Sequence, residues 1–273
     1  MTTVFISVNE IDMNDYKWID TRFSLQNPHE GRRHYETSHM AGAVYWDLEH
    51  DLSDMTKQYG RHPMPEKDAL KMLFSTSGLE LEDCIVIYDD GGSPFAARAW
   101  WLLQYAGFTN AVIALEGYQE IKEMGFPVET DIPVPTSTSV SPNWNETLYA
   151  TREFVEDTVE GKTASLLLDA RSAERHRGDY EPIDPIAGRI PGALNFDWEQ
   201  LKVNGQYRMD ESVKHELNTI VNPTEEVTVY CGSGVTAAPL YAMLVHNGYD
   251  NVHLYVGSYS DWISKEGAEV EKG

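Results

Sequence analysis

The residues most able to do chemistry lie in one segment, Val229-Tyr230-Cys231-Gly232-Ser233-Gly234-Val235-Thr236-Ala237-Ala238. A β-branched run ends at Cys231 and an apolar helical stretch begins by Thr236, so the residues between must turn from strand to helix. Two glycines allow that backbone to curl until successive N–H groups point into one concavity at a helix N-terminus. Such a nest stabilises an anion, which favours a cysteine at its centre as the thiolate, the nucleophilic form. A strand-end cysteine without that loop reads as a buried core thiol. Cys84, at the start of the apolar run Ile85 to Tyr88, is expected to be of that kind.

Two other chemistries fit the segment poorly. Gly232-Ser233-Gly234-Val235-Thr236-Ala237 satisfies the dinucleotide fingerprint G-x-G-x-x-A, and Asp250 stands near the distance of a ribose-binding acid, but the loop falls late in its domain instead of opening it. A Cys-x5-Arg phosphatase loop needs an arginine to hold the phosphoryl group, and Ala237 occupies that position.

The elements that carry this loop occur twice. Trp18-Ile19-Asp20-Thr21-Arg22 answers to Leu167-Leu168-Asp169-Ala170-Arg171, and His39 to Asp47 answers to Arg189 to Asp197. Cys84 to Tyr88 followed by Asp89 answers to Val227 to Tyr230 followed by Cys231, and the helices after both loops end at Gly107-Phe108 and Gly248-Tyr249. Asp89 therefore stands where Cys231 stands, in a loop one residue longer, so the first repeat has lost the nucleophile. Phe126 to Asn145, with Pro127, Pro133, Pro135 and Pro142, reads as an extended linker. The expected organisation is a degenerate domain over 1–125, a linker over 126–145 and a catalytic domain over 146–273. Short apolar runs (Ala111 to Leu115, Leu166 to Leu168, Val252 to Val256) alternate with amphipathic segments (Glu66 to Ser75, Thr236 to His246), which predicts α/β domains, each a small parallel sheet flanked by helices. Trp100-Trp101 read as core, and the charged end, Glu266 to Gly273, as frayed.

Asp plus Glu number 44 against 21 Lys plus Arg, a formal charge of -23 in 273 residues, which disfavours nucleic acid and anionic membrane surfaces. The opening MTTVFISVNE lacks the basic flank and apolar stretch of a signal peptide, and no run suits a membrane span, so a cytoplasmic protein is expected. Two cysteines give neither a disulfide framework nor a zinc spacing.

On these residues the whole chain resembles the two-domain rhodanese family, the thiosulfate and 3-mercaptopyruvate sulfurtransferases. Cys231-Gly232-Ser233-Gly234-Val235-Thr236-Ala237 is similar to the loop of the mercaptopyruvate enzymes, whereas the thiosulfate enzymes usually carry basic residues at the positions of Gly232 and Ser233. Asp169-Ala170-Arg171, Arg189-Ile190-Pro191-Gly192-Ala193 and Gly257 to Trp262 support it. The resemblance implies two tandem rhodanese-like domains, the N-terminal one inactive, and a ping-pong transfer through a Cys231 persulfide. The donor would be mercaptopyruvate or thiosulfate, the acceptor cyanide or a thiol such as a thioredoxin-like protein, with no metal or organic cofactor. It places Arg175 on the donor's anionic group. A second family arginine follows a Glu-Pro pair, but Glu181-Pro182 is followed here by Ile183-Asp184, so a mercaptopyruvate donor needs Arg177 or Arg189 as a substitute. The resemblance also implies a relay of Ser233, His62 and an acid, Glu49 before Asp47, that would polarise the donor's carbonyl. Against the sulfurtransferase stand a non-catalytic rhodanese-like binding module and a dinucleotide enzyme.

Overall fold

A computed structural model describes residues 3–273; Met1 and Thr2, at the start of the expected first domain, lie outside the described residues. The first half runs through β1 (Phe5–Ile6), β2 (Lys17–Asp20), α1 (His29–Thr37), β3 (His39–Met40), β4 (Val44–Tyr45), α2 (Lys67–Thr76), β5 (Ile85–Tyr88), α3 (Phe95–Ala106), β6 (Ala111–Ala114) and α4 (Tyr118–Glu123). Strands β1, β6, β5, β2 and β4 lie in that order in one parallel sheet. The segment after α4 adds β7 (Val128–Glu129), antiparallel to β3.

The second half repeats the plan with α5 (Arg152–Val159), β8 (Leu166–Asp169), α6 (Ala173–Arg177), β9 (Leu194–Asn195), a small hairpin of β10 (Lys202–Val203) and β11 (Gln206–Tyr207), α7 (Glu211–Ile220), β12 (Val227–Tyr230), α8 (Ala237–His246), β13 (Val252–Leu254) and α9 (Ser258–Trp262). Its parallel sheet, ordered β13, β12, β8, β9, matches the order β6, β5, β2, β4. The counterpart of β1 has shrunk to a single bridge, Tyr149 to Leu254. The central strands β5 and β12 are buried at every residue, as strands covered on both faces must be.

The repeated Asp-x-Arg motifs brace the two sheets. The Asp20 carboxylate accepts from the Arg22 guanidinium, and Asp169 accepts from Arg171 in the same way. Each arginine then caps a backbone carbonyl, Ser38 or Gly188, and lies over a tyrosine ring, Tyr118 at 3.8 Å or Tyr259 at 4.0 Å.

Helices α3 and α8 are apolar almost all round because each packs on its own sheet and on the other helix. Trp100 and Trp101 meet Tyr241 there, and one core cluster runs through both halves. Pro239 is tolerated in the first turn of α8, where backbone N–H groups have no helical acceptor.

The proline-rich segment is extended and packs along the first half: Thr138 bonds the carbonyls of Ser75 and Leu79, and the N–H groups of Asn143 and Asn145 bond those of Ala106 and Tyr105. Two expectations need correction. The end is not frayed, because Arg189 and Glu271 bridge through backbone N–H groups and the Trp262 indole donates to the Glu269 carbonyl. Cys84 is exposed, since it precedes the buried strand instead of lying within it. Among the described residues, no helix is long and apolar enough to cross a membrane.

Candidate active site

Strand β12 delivers Cys231 to a fully covered position, 1% exposed. Its Sγ accepts the Gly234 N–H at 3.1 Å, with Ser258 Oγ at 4.0 Å. The loop is fastened to the turn that opens α9: Cys231 N–H donates to Ser258 Oγ, and the carbonyls of Cys231 and Gly232 accept from Tyr259 and Ser260. Ser258 holds this place with φ 55, a left-handed conformation uncommon for a residue with a Cβ. Gly234 has φ +74, and a Cβ there would stand 2.1 Å from the Val256 carbonyl oxygen, so only glycine fits. Val235 and Thr236 complete the turn, and α8 begins at Ala237.

The first half holds a carboxyl group in the equivalent loop. Asp89, the counterpart of Cys231, accepts the N–H groups of Gly91 and Ala96, while its carbonyl accepts from Tyr118 as that of Cys231 does from Tyr259. Burial pushes the Asp89 carboxyl up to about 7, despite those bonds. The Asp89 side chain thus fills its own loop.

Three first-half residues reach the Cys231 loop. His62 Nδ1 lies 2.8 Å from Ser233 Oγ, both buried. Burial, reinforced by the charges of Arg98 and Arg61, pushes the His62 pKa down to about 4, so the ring is neutral at neutral pH. The expected acid is not joined to it. Glu49 lines a surface cavity with Pro28, His29, Arg32 and His50, and Asp47 is used within its own turn, accepting from the N–H groups of Glu49 and His50. Ser233 and His62 are thus brought together without Glu49 or Asp47.

Sequence reasoning missed the other two. Arg98, fully buried in α3, donates to the carbonyls of Leu52, His62 and Gly234 and has no carboxylate partner among the described residues. Burial pushes its pKa down to about 10, against the pull of Cys231. A single arginine inside Phe95-Ala96-Ala97-Arg98-Ala99-Trp100-Trp101 was the available signal. Arg61 precedes His62; its backbone N–H donates to Ser260 Oγ and its guanidinium pairs with Asp184.

Of the arginines expected to hold a donor, only Arg175 faces the loop, with Nη2 3.3 Å from where a Cβ on Gly232 would be. Glu181 holds it in two-pronged fashion at 2.9 and 2.8 Å, and Asp184 accepts from it at 3.1 Å. Arg177 is exposed and bonds Asp179. Arg189 is spent on the C-terminal segment, bonding Glu271 and the Gly273 carbonyl. The structure does not bring Arg177 or Arg189 to the Cys231 loop, because one is exposed beside Asp179 and the other is held by the chain's last residues. No group of three or more His, Cys, Asp or Glu suited to a metal ion occurs among the described residues.

Comparison with known proteins agrees with the two repeated domains. The Rhodanese-like domain family matches residues 8–124 and again 151–265. A probable 3-mercaptopyruvate sulfurtransferase of Pseudomonas aeruginosa is 34% identical over 261 residues, covering 93% of this chain and 92% of that protein. A putative thiosulfate sulfurtransferase, SseB, of Mycobacterium tuberculosis is 35% identical over 258 residues, covering 93% and 90%. Among solved structures, the 3-mercaptopyruvate sulfurtransferase from Leishmania major superposes with a TM-score of 0.85 at 25% identity, covering 96% of this chain and 75% of that one. SseA from Escherichia coli gives 0.80 at 26%, covering 95% and 100%. Two like-ordered parallel sheets, a cysteine loop in one and its acidic remnant in the other, together with these matches, place the chain in the rhodanese family.

Proposed function

We propose that the chain is a sulfurtransferase that takes sulfur from 3-mercaptopyruvate onto Cys231 and passes it to a thiol or to cyanide. The observation that carries this reading is Cys231 Sγ accepting the Gly234 N–H beside the Ser233–His62 pair. The thiolate attacks the donor sulfur, an S–S bond forms and the C–S bond breaks, and its electrons move onto the ketone oxygen as an enolate. The donor's thiol proton ends on carbon, so Cys231 thiolate plus mercaptopyruvate becomes Cys231 persulfide anion plus pyruvate. With the proton on His62 Nδ1, Ser233 Oγ accepts from the ring and its own hydrogen is free for the developing enolate oxygen. The neutral imidazole suits this donor role, which needs no imidazolium and no third acid. An acceptor thiolate, such as that of a thioredoxin-like dithiol, then attacks the outer sulfur and releases Cys231 by the rules of thiol–disulfide exchange.

A second reading, thiosulfate as donor, is favoured by Ile183 where the mercaptopyruvate enzymes carry their second arginine. Presenting the reduced protein with each donor separately and reading its intact mass distinguishes the two. One added sulfur on Cys231, faster from mercaptopyruvate and absent from Cys231→Ser, is the expected result. Faster loading from thiosulfate selects the second reading, and none from either refutes both.

A further inference from the structure

Two guanidinium groups from different halves of the chain converge on one backbone position. A Cβ built on Gly232 would lie 2.5 Å from Arg61 Nη2, and 3.3 and 3.6 Å from Arg175 Nη2 and Nη1. A single carboxylate joins them: Asp184 Oδ1 accepts from Arg61 Nη1, and Oδ2 accepts from Arg175 Nη2. The Asp184 side chain is 2% exposed, against 31% for Arg61 and 16% for Arg175, so the bridge lies beneath arginines that still meet solvent. Arg175 is also held by Glu181, but Arg61 has no acidic partner except Asp184 among the described residues. Gly232, the residue after Cys231, puts no side chain of its own against the two cations. The geometry is that of a carboxylate held by two arginines next to a nucleophilic sulfur, with a residue of the protein in the carboxylate's place.

We propose that Arg61 is the second donor-binding arginine, acting with Arg175 as a clamp for the donor's carboxylate, and that Asp184 fills this clamp while the cleft is empty. A donor carboxylate exchanges with Asp184; leaving Asp184 in place as well would set three carboxylates, those of the donor, Asp184 and Glu181, against two guanidiniums in a partly desolvated cleft. The missing arginine at Ile183 is thereby supplied from the first domain, and a bound donor bridges the two halves. The identity of the donor rests on the sulfurtransferase reading, but the clamp itself does not.

The test uses Cys231 as a reporter for anions. Alkylation of the full-length protein by iodoacetate and by neutral iodoacetamide is followed by peptide mass, so that exposed Cys84 is counted separately. Arg61→Gln is expected to slow iodoacetate at Cys231 by about tenfold, the scale of one charged hydrogen bond, and to leave the iodoacetamide rate unchanged. Arg61→Lys recovers part of the loss, and Asp184→Asn speeds iodoacetate. In turnover, Arg61→Gln raises KM for mercaptopyruvate by a similar factor with little change in kcat. An iodoacetate to iodoacetamide ratio equal in wild type and Arg61→Gln overturns the clamp, and an unchanged ratio in Asp184→Asn overturns the exchange. A ratio that responds as expected in a protein that takes no sulfur from mercaptopyruvate supports the clamp and removes the donor assignment instead.

Discussion

Replacing Gly234 by alanine should damage both the fold and the sulfur chemistry, because one backbone position serves both. Gly234 has φ +74, and a Cβ there stands 2.1 Å from the Val256 carbonyl oxygen and 2.9 Å from its Cα. These are backbone atoms that cannot retreat, since Tyr255 N–H is bonded to Val229 and Tyr259 N–H to Cys231. The left-handed conformation costs alanine about 1–2 kcal/mol. Relieving the overlap adds about 1–3 kcal/mol more. The expected loss is thus about 2–5 kcal/mol, read as a lower urea midpoint at unchanged slope. Any shift of the loop also pulls the Gly234 N–H from Cys231 Sγ, and losing one bond to a charged acceptor should slow single-turnover sulfur uptake by roughly tenfold to hundredfold. Gly232→Ala is the control. The atoms nearest its Cβ are the ends of the Arg61 and Arg175 guanidiniums, which can move, so stability stays near wild type and the effect falls on donor affinity. A Gly234→Ala protein with wild-type stability and uptake would refute the reasoning.

His62 is buried with its pKa lowered to about 4, below an unfolded value near 6.5, so the unfolded chain binds the extra proton between those values. Its contribution is full above pH 6.5 and is lost as pH falls toward 4, by about 3 kcal/mol; His62→Gln should remove that slope in urea titrations across pH 4–7. The same neutrality predicts that the mercaptopyruvate half-reaction has no limb near pH 6.5 owed to His62, and a limb there that vanishes in His62→Gln would contradict it. Asp89 has the opposite sign: its pKa is raised to about 7, so stability falls as pH rises from about 4 to 7, by about 4 kcal/mol, and Asp89→Asn should flatten that fall. Arg98→Leu leaves the carbonyls of Leu52, His62 and Gly234 without this donor and should cost about 2–4 kcal/mol in urea unfolding, with no recovery in Arg98→Lys, whose single ammonium cannot span both halves of the chain. Equal stability of the leucine and wild-type proteins would mean that those carbonyls do not depend on Arg98.

Much of this protein is legible in its sequence because the informative residues are local. The strand endings at Asp20 and Asp169, the apolar runs Ile85 to Tyr88 and Val227 to Tyr230, and the glycine loop after Cys231 each state their conformation within about ten residues, and doing so twice in the same order fixes the two like-ordered sheets. The nucleophile's loop could be read as well, since its glycines and the start of α8 follow Cys231 directly. Pairing across the cleft could not be read in that way. Arg61 and Asp184 are separated by 123 positions, and His62 and Ser233 by 171. Glu49 is the acid the resemblance implies for the relay, yet the Asp47 turn keeps it elsewhere. Arg177 and Arg189 have the right charge close to the right strand, but the chain's last residues and solvent claim them. Periodicity and turn chemistry act along the chain, so the sequence alone determined the repeat, the sheets and the cysteine loop; which cations face Cys231 depends on how α3 and α8 pack the two halves together, and only the tertiary structure decided that.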